Sequence, residues 1–506
     1  MESIVISVEG GDWLRNPDRY KAQEKQLLTT NFEENIEFLR DALGIGKSFD
    51  VIHRELFFAG RKFGLFFVDG LAKDDVMNII TIHLANLEWE DLTSNSVEVL
   101  LKKHIGYLEV SKVNKMDVII HSVLSGPLVL VIEGQDEALM IDARTYPARG
   151  PDEPDIERVV RGPRDGFTET ITFNTALTRR RLRDPSLRME PIQIGKRSKT
   201  DVVISYLEDV ADEGLVNEIR ERVKKIDIDG LPMAEKTIEE FILGNHWNPF
   251  PLVRYTERPD VAAIHLLEGH VLLYTDTSPS VMITPATLFH HVQHAEEYRQ
   301  KPIVGAYLRW VRFAAMLASV FLLPLWLLVT FEPHLLPPKL AYIGPEHKGH
   351  VPLLAQILIA EVGIDILRMA AIHTPNSLAT ALGLVAALMI GQVAVEVGLF
   401  SNEVILYLAF AAIGTFATPS YEFSLATRIV RISLVLAVGF FHTIGFIIAT
   451  AAWFILLLFT RSLNTPYLWP FIPFNYRALM DVLIRSPIPA KNVRPAILNP
   501  EDPTRS

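Results

Sequence analysis

Phe313–Phe331, with the sequence FAAMLASVFLLPLWLLVTF, is the stretch that decides the fold. It holds no charged side chain over a length close to the ~20 residues that cross ~30 Å of hydrocarbon. Three later segments are also apolar: Leu378–Phe400, Val404–Thr418 and Ile432–Thr460. A further segment, Val351–Leu367, lies between the first span and Leu378–Phe400 and is apolar but carries two carboxylates. The sequence therefore predicts an α-helical polytopic membrane domain at residues 301–475, followed by a C-terminal tail at residues 476–506.

The chain ahead of this domain is charged, and its apolar runs are too short to cross a bilayer. Of the 506 residues in the whole chain, 49 are Lys or Arg, 60 are Asp or Glu, and none is Cys. The net charge of -11 argues against a general nucleic-acid-binding protein, because contacts to phosphates need clustered cations. The lack of cysteine excludes disulfides, thiolate nucleophiles and metal sites with Cys ligands.

Basic residues next to the first span indicate its orientation. Four of them lie close to its N-terminal end: Arg299, Lys301, Arg309 and Arg312. By the positive-inside rule they predict a cytoplasmic N-terminal half, and the basic tail predicts the same side for the C terminus. We expect four crossings and one short or re-entrant segment. Arg428 and Arg431 do not fit this scheme, because they precede Ile432–Thr460, which is predicted to be one long span.

The N-terminal half contains an internal repeat. Two pairs of segments align, at offsets of 139 and 143 residues: Phe67–Ile80 with Tyr206–Ile219, and Gly126–Glu133 with Gly269–Asp276. Phe32 and Phe173 open corresponding helical stretches in the same order along the chain. Such matches at a nearly constant offset indicate a duplication. After a segment at residues 1–30, the sequence predicts two related α/β subdomains, at residues 31–145 and 146–300, which together make an α+β half.

Signatures of catalysis are missing from the sequence. No phosphate-binding loop of the form GxxxxGK[ST], no strand-linked GxGxxG and no G-x-S-x-G elbow occurs. His290, His291 and His294, with Glu296 and Glu297 beside them, form a metal-like cluster, but the glutamate of an HExxH site is missing. We interpret the cluster as part of a polar linker helix. The sequence predicts no enzyme, no cofactor and no metal site.

A dense group of arginines lies in the second subdomain around the segment Arg161–Phe167. Its members are Arg161, Arg164, Arg179, Arg180, Arg181 and Arg183. Salt bridges on a solvated surface would explain this charge. The alternatives are an interface to an acidic subunit or to anionic headgroups, and, ranked last, a site for an anionic ligand. We predict a subunit interface.

Charged and polar residues inside the membrane domain are candidates for function. They are Glu361 and Asp365, Gln392 and Glu396, and Glu422. A charge at bilayer depth costs a few kcal/mol or more unless it is paired or hydrated. Pairing between helices, for example of Glu361 or Asp365 with Arg428, would only stabilise the bundle. A polar pathway for ions is the other interpretation, and carboxylates would favour cations.

Several segments resemble a known family. The motifs are Val159–Phe167, Ser198–Val202, Ile226–Asp229, Tyr255–Asp260, Leu267–Gly269, Ile390–Leu399 and Thr418–Tyr421. In this order they resemble the signature of the GerA family of endospore germination proteins, the A subunits of germinant receptors. The resemblance runs from about residue 30 to about residue 485 and is greatest to the SpoVAF (stage V sporulation protein AF) branch.

This resemblance implies a protein of the inner membrane of bacterial endospores that acts in germination. Family A subunits are thought to form an oligomeric ring whose membrane helices conduct ions, together with other germination membrane proteins. We therefore expect a homo-oligomeric cation channel in a lipid bilayer that triggers or amplifies ion release. The alternatives are a scaffold that conducts nothing and a transporter of dipicolinate-like anions, which would depend on Arg368 and Arg428.

Overall fold

The computed structural model describes most of both halves of the chain. The described residues are 26–92, 97, 100, 110–144, 157, 159–244, 247–345, 350–373, 393–484, 487 and 493–504. Gln392 and most of the predicted apolar segment Leu378–Phe400 lie outside the described residues.

Two five-stranded antiparallel sheets form the N-terminal half. The strands are β1 (Val51–Phe58), β2 (Arg61–Val68), β3 (Val110–Val113), β4 (Leu128–Ile132), β5 (Ala138–Ile141), β6 (Leu187–Ile194), β7 (Thr200–Leu207), β8 (Arg254–Thr256), β9 (Val271–Thr275) and β10 (Val281–Thr284). Their order is β1-β2-β4-β5-β3 in the first sheet and β6-β7-β9-β10-β8 in the second, so the two sheets have the same topology.

Helices cover both faces of each sheet. They are α1 (Phe32–Ala42), α2 (Asp74–Ala85), α3 (Met116–Ser125), α4 (Ile171–Arg181), α5 (Glu213–Lys224), α6 (Ala234–Leu243) and α7 (Pro259–Glu268). In the first sheet α1 and α3 pack on one face and α2 on the other. In the second, α4 and α7 pack on one face, and α5 and α6 on the other. The central strands β4 and β9 are buried along their whole length, which explains why both are uninterrupted apolar runs.

Equivalent hydrogen bonds place the first helix of each unit. The Asn35 side chain accepts from the Thr29 N–H at 3.1 Å and donates to the Thr29 carbonyl at 2.5 Å. Asn174, 139 residues later, makes the same pair of bonds to Thr168, at 2.7 and 2.6 Å. The structural counterpart of Phe32 is therefore Ile171. The sequence alignment of Phe32 with Phe173 was two residues out of register, and Phe173 is exposed.

The C-terminal half is a helix bundle. After the short helix α8 (Ala295–Arg299) come α9 (Pro302–Phe331), α10 (Leu353–His373), α11 (Ala394–Glu396), α12 (Asn402–Phe416), α13 (Tyr421–Phe459), β11 (Arg461–Ser462), β12 (Thr465–Pro466) and α14 (Tyr476–Leu483). Among the described helices, α9 and α13 are long and apolar enough to cross a membrane. Helix α9 packs against α12 and α13, and α10 packs against the same two helices.

Helix α13 is a hairpin and not one long span. His442 has non-helical backbone angles, φ 51 and ψ -134. Trp453 Nε1 donates to Ser433 Oγ at 2.7 Å, whereas a straight helix would separate these residues by about 30 Å. The chain therefore reverses at His442, and each arm is roughly 25–30 Å long. This corrects the prediction of a single span at Ile432–Thr460. Arg428 and the chain after Phe459 then lie toward the same end of the bundle.

A buried ion pair holds the linker between the two halves. Glu297 of α8 is fully buried and accepts from Arg309 Nε at 2.7 Å. Nη1 of the same arginine donates to the carbonyls of Asp481 and Val482 in α14, at 2.9 and 2.8 Å. Arg309 thus joins the linker helix α8, the long apolar helix α9 and the C-terminal helix α14.

A second buried ion pair joins the two sheets. Arg179 of α4 donates to Asp50, which precedes β1, through Nε at 2.8 Å and Nη2 at 3.1 Å. Both side chains are 1% exposed. The remaining donors of Arg179 reach the carbonyls of Asp184 and Leu187, each at 3.1 Å. The guanidinium nitrogens of Arg179 are thus all bonded to groups of the same chain, which corrects its assignment to a subunit interface.

Replacing Arg179 with Gln is expected to lower the free energy of unfolding by about 3–5 kcal/mol, because Asp50 would be left buried and unpaired. Thermal unfolding of the detergent-solubilised protein measures this effect. Arg181→Gln is the matched control, since Arg181 and its partner Asp165 are 23% and 29% exposed and a partly exposed pair contributes about 1 kcal/mol or less. Equal unfolding temperatures for the two variants would show that the Asp50–Arg179 pair does not join the sheets.

Candidate functional site

A network of four charged residues lies inside the helix bundle. Arg431 of α13 donates to both carboxylate oxygens of Glu361 in α10, from Nε at 2.6 Å and from Nη2 at 3.0 Å. Arg428 Nη2 lies 3.1 Å from Glu361 Oε2, and Arg428 Nη1 pairs with Asp365. Two arginines and two carboxylates make the network neutral, so its charges are compensated within one chain.

The positions of these residues follow from helical spacing. Glu361 and Asp365 are four residues apart on α10, and Arg428 and Arg431 are three apart on α13, so each pair shares one helix face. Burial of Glu361, Arg428 and Arg431 is nearly complete, with side chains that are 2 or 3% exposed. The sequence left two interpretations of Glu361, pairing between helices and a polar pathway for ions. In the structure Glu361 is paired between helices.

Close packing of α9 and α12 completes the surroundings of Arg431. Its Nη1 donates to the Ser319 carbonyl at 2.7 Å and to Thr415 Oγ1 at 3.1 Å. A Cβ at Gly414, the neighbour of Thr415, would lie 2.2 Å from the Ala315 carbonyl oxygen. Glycine is therefore required at this position, because any side chain would push α12 away from the helix that carries Ser319.

Three of the predicted pathway residues reach the bundle surface. Asp365 keeps 38% of its side chain exposed although it pairs with Arg428. Glu396 and Glu422 are also exposed. Glu422 lies in the first turn of α13, at the end next to the N-terminal half with its two sheets, which is called the soluble half below. There Phe423 packs on Phe250 with ring centroids 6.1 Å apart.

Glu396 lies at the opposite end of the bundle. The chain just after it is tied to the start of α10: the Gly398 carbonyl accepts from the His350 N–H at 3.1 Å, and Gln356 Oε1 accepts from the Ser401 N–H at 2.8 Å. The structure brings Glu361 and Asp365 together and leaves Glu396 and Glu422 apart from them, at the far and near ends. Gln392 is outside the described part of the chain.

The arginine group divides into buried and exposed members. Arg181 pairs with Asp165 at 2.5 Å. Asp165 belongs to the segment Arg161–Phe167, called the signature segment here, so this segment is stabilised within the chain. The exposed members are Arg161, Arg164, Arg180 and Arg183. Arg183 also donates from Nε to the Arg180 carbonyl at 3.3 Å, which extends the end of α4.

A buried arginine absent from the predicted site holds the signature segment in place. Arg258, fully buried, donates from Nη2 to the Pro163 carbonyl at 3.0 Å and binds Asp260 with two nitrogens, each at 3.0 Å. Phe167, also fully buried, packs edge-on against Tyr274 with ring centroids 5.7 Å apart. The segment is therefore a structural element of the second sheet unit.

The histidines near residue 290 have structural roles. His290 Nδ1 accepts from the Thr287 N–H at 2.9 Å, and His294 Nδ1 caps α8 by accepting from the Glu296 N–H at 3.1 Å. His290 packs with His265 and His270, with ring centroids 5.0–5.8 Å apart. Burial lowers the pKa of all three imidazoles, that of His270 to about 4, so they are neutral at pH 7.

Several residues in these networks were not predicted as site residues. Arg431 was noted only as a misplaced charge, although its spacing of three residues from Arg428 puts both on one helix face, as the spacing of four does for Glu361 and Asp365, and could have revealed the pairing. Asp50 gave no signal, because its partner Arg179 lies 129 residues away. Glu297 and Arg258 lie in segments that the sequence analysis names, but nothing in the sequence indicates that the two side chains are buried. The described residues contain no group of three or more side chains arranged to hold a metal ion.

Comparison with known proteins decides the family. The family model described as the Bacillus/Clostridium GerA spore germination protein matches residues 38–497. The chain is a member of the GerA family. It is 49% identical to stage V sporulation protein AF of Bacillus subtilis over 96% of this chain and 98% of that protein. It is also 32% identical to spore germination protein GerLA of Bacillus cereus, over 94% of this chain and 97% of that one.

These matches confirm the resemblance read from the signature segments, and the relatives of this GerA-family chain are spore germination and sporulation proteins. Among solved structures, the N-terminal domain of the A subunit of a Bacillus megaterium spore germinant receptor aligns with a TM-score of 0.42 at 26% identity. The alignment covers 52% of this chain and 98% of that domain. Family membership and two apolar helices together indicate association with a membrane.

Replacing Glu361 with Gln in this GerA-family protein is expected to lower the free energy of unfolding by about 3–5 kcal/mol, since Arg431 would keep a buried charge without its carboxylate. The double variant Glu361→Leu/Arg431→Met removes both charges and is expected to be more stable than the single variant. Thermal unfolding in detergent compares them.

The control for this comparison is Glu422→Gln, which alters an exposed carboxylate and is expected to stay within about 0.5 kcal/mol of the unchanged protein. If Glu361→Gln were as stable as this control, the ion pair would not hold the helices together.

Proposed function

We propose that the protein is a non-enzymatic, cation-conducting subunit of the endospore germination machinery, which works as an oligomer in the spore inner membrane. Exposure of Asp365 on the membrane helix α10 carries this proposal. A carboxylate that faces hydrocarbon is costly, so its exposed side has to meet water or a polar partner surface. In an oligomer, a shared polar pathway would satisfy that requirement.

The distribution of charge favours cations over anions in such a pathway. Glu422, Asp365 and Glu396 are exposed near one end, in the middle and at the other end of the bundle, and rings of carboxylates select cations. An anion transporter would need Arg368 and Arg428, but Glu361 and Asp365 neutralise Arg428. In our proposal Glu361 positions the helices, and the three exposed carboxylates, with Gln392, line the pathway.

We further propose that both halves of the hairpin α13 cross the membrane. Helices α9, α10 and α12 and the two arms of α13 would give five crossings. The apolar segment Leu378–Phe400 would add a sixth. An even number keeps the N-terminal half and the C-terminal tail in the cytoplasm, and Arg428, Arg431 and the tail then no longer conflict with the positive-inside rule.

The absence of cysteine allows this topology to be measured with single-cysteine variants in cells that express the protein. His442→Cys at the hairpin tip and Tyr342→Cys in the loop after α9 are expected to react with an impermeant maleimide added outside, because both are exposed at the end remote from the soluble half. Asn464→Cys is expected to react only after permeabilisation, since Asn464 binds Glu218 of the soluble half at 2.8 Å. A cysteine at 442 that reacts on neither side would place it inside the bilayer and contradict the hairpin topology.

The soluble half is proposed to assemble the oligomer. The shared strand order and the equivalent Asn35 and Asn174 bonds support an origin by duplication of one subdomain, at residues 31–145 and 146–300. Arg180 and Arg183 are exposed and are better interface candidates than the buried Arg179. Light scattering that finds an unchanged oligomer for Arg180→Gln/Arg183→Gln would remove this interface from the proposal.

Conductance of the purified full-length protein in planar bilayers tests the channel. We expect a potassium-over-chloride preference that falls about twofold or more in Glu396→Gln and in Asp365→Asn, because each loses a negative charge from the pathway. Glu240→Gln, an exposed glutamate of α6 in the soluble half, is the control and is expected to conduct as the unchanged protein does.

A folded and oligomeric protein that conducts nothing would contradict the channel and favour the scaffold. An anion preference that Arg368→Gln abolishes would favour the transporter instead.

A further inference from the structure

An apolar cavity of about 470 Å³ lies where the soluble half meets the helix bundle. One wall is α9, with Trp310 and Met316, and the other consists of the two arms of α13, with Val430 and Trp453. Phe250 and other side chains of the soluble half close one end. The volume falls in the range of roughly 300–1,000 Å³ that is usual for small-molecule sites.

The polar atoms in the walls are mostly bonded within the chain. Trp453 Nε1 donates to Ser433 Oγ at 2.7 Å, and Thr427 Oγ1 donates to the Ser424 carbonyl at 2.9 Å. Within the described structure, Thr450 Oγ1 is the buried side-chain oxygen of the lining that has no hydrogen-bond partner. The walls therefore present hydrocarbon and aromatic faces, which exclude a charged or strongly polar occupant.

The rim of the cavity lies on the outside of the bundle. Leu317 is 61% exposed, Phe454 is 54% exposed and Trp310 is 53% exposed, whereas Leu434 at the bottom is fully buried. The rim residues belong to α9 and α13, the two helices that are long and apolar enough to cross a membrane. The opening thus faces sideways, toward the hydrocarbon of a bilayer, at the end of the bundle next to the soluble half.

We propose that this cavity binds one acyl chain of a membrane phospholipid. An empty apolar cavity loses the dispersion contacts of its walls, and in a bilayer the surrounding molecules that can restore them are lipid chains. The aromatic lining suits a flexible alkyl chain, because it offers contact area without directional bonds. This inference rests on the membrane placement of α9 and α13 and does not depend on whether the protein conducts ions.

Occupancy would act on the contact between the two halves. Phe423 lines the cavity and lies flat against the His291 ring, with centroids 6.0 Å apart and planes 9° apart. Phe250, also in the lining, packs on Phe423, Trp453 and Tyr467. The bound chain would hold these rings in place and so fix how the soluble half sits on the bundle.

The test compares fillings of the cavity with a matched substitution outside it. Val430 is 7% exposed in the lining, and its neighbour Ile429 is 50% exposed on another side of the same helix. Native mass spectrometry counts the phospholipids that the detergent-purified, partly delipidated full-length protein retains. We expect about one per chain in the unchanged protein and in Ile429→Trp, and about fivefold less in Val430→Trp, where the added ring occupies the cavity.

Two further variants keep the test decisive if Val430→Trp fails to fold. Met316→Trp fills the cavity from α9 and is expected to lose the lipid as well. Thr450→Val removes the unbonded hydroxyl at constant size and is expected to retain it. The proposal is wrong if the unchanged protein retains no phospholipid, or if folded Val430→Trp and Met316→Trp retain as much as Ile429→Trp. A loss of oligomers in these variants at unchanged lipid content would assign the cavity to a second copy of the chain and equally overturn the proposal.

Discussion

The pairing of Glu361 with Arg431 is the constraint on which the rest of the helix bundle depends. A charge as deeply buried as these costs several kcal/mol if it loses its partner, so α10 and α13 have to stay in the register that joins them. The other guanidinium nitrogens of Arg431 extend this requirement to Ser319 on α9 and Thr415 on α12. One side chain thus positions four helices, and their register determines which carboxylate, Asp365, emerges at the surface.

Buried arginines that pair with carboxylates recur along the chain. Four arginines are among the largest fully buried side chains: Arg179, Arg258, Arg309 and Arg431. Each bonds a carboxylate and also at least one backbone carbonyl. Arg179 and Arg309 connect separate units, namely the two sheets and the two halves of the chain. A guanidinium suits this role because it stays charged and offers five donors in a fixed plane, which a lysine could not replace.

The region between the halves combines these ties with apolar packing. Arg309 of the Glu297–Arg309 pair is next in sequence to Trp310, which lines the aromatic cavity, and the buried His291 packs on Phe423 of the same lining. The directional bonds of Arg309 determine which segments meet. Among the described residues, the cavity walls make no such bonds across the space between them, and they leave room for an apolar molecule.

The sequence by itself determined the elements whose pattern is local. The uniform apolar run of Phe313–Phe331 indicated a helix long and apolar enough to cross a membrane, and the segments Gly126–Glu133 and Gly269–Asp276, which contain the buried strands β4 and β9, were recognised as a corresponding pair. The repeat was visible because equivalent helices and strands keep the same spacing. The edge strands β1 and β6 were not among the aligned segments, since their exposed sides carry polar residues that blur the apolar alternation of a strand. The family was readable because its motifs are contiguous.

Only the tertiary structure decided the contacts between distant segments. Arg179 looked like its neighbours Arg180 and Arg181 until Asp50, 129 residues away, proved to bind it. The reversal at His442 was not recognised from the sequence, because Ile432–Thr460 is uniformly apolar, and Gly439 and Gly445 on either side of His442 are residues that a straight membrane helix also tolerates. Glu361 and Asp365 share one helix face, yet one is sealed inside and the other is exposed. Periodicity shows which residues share a face, but burial depends on what packs against that face, and that is a property of the folded chain.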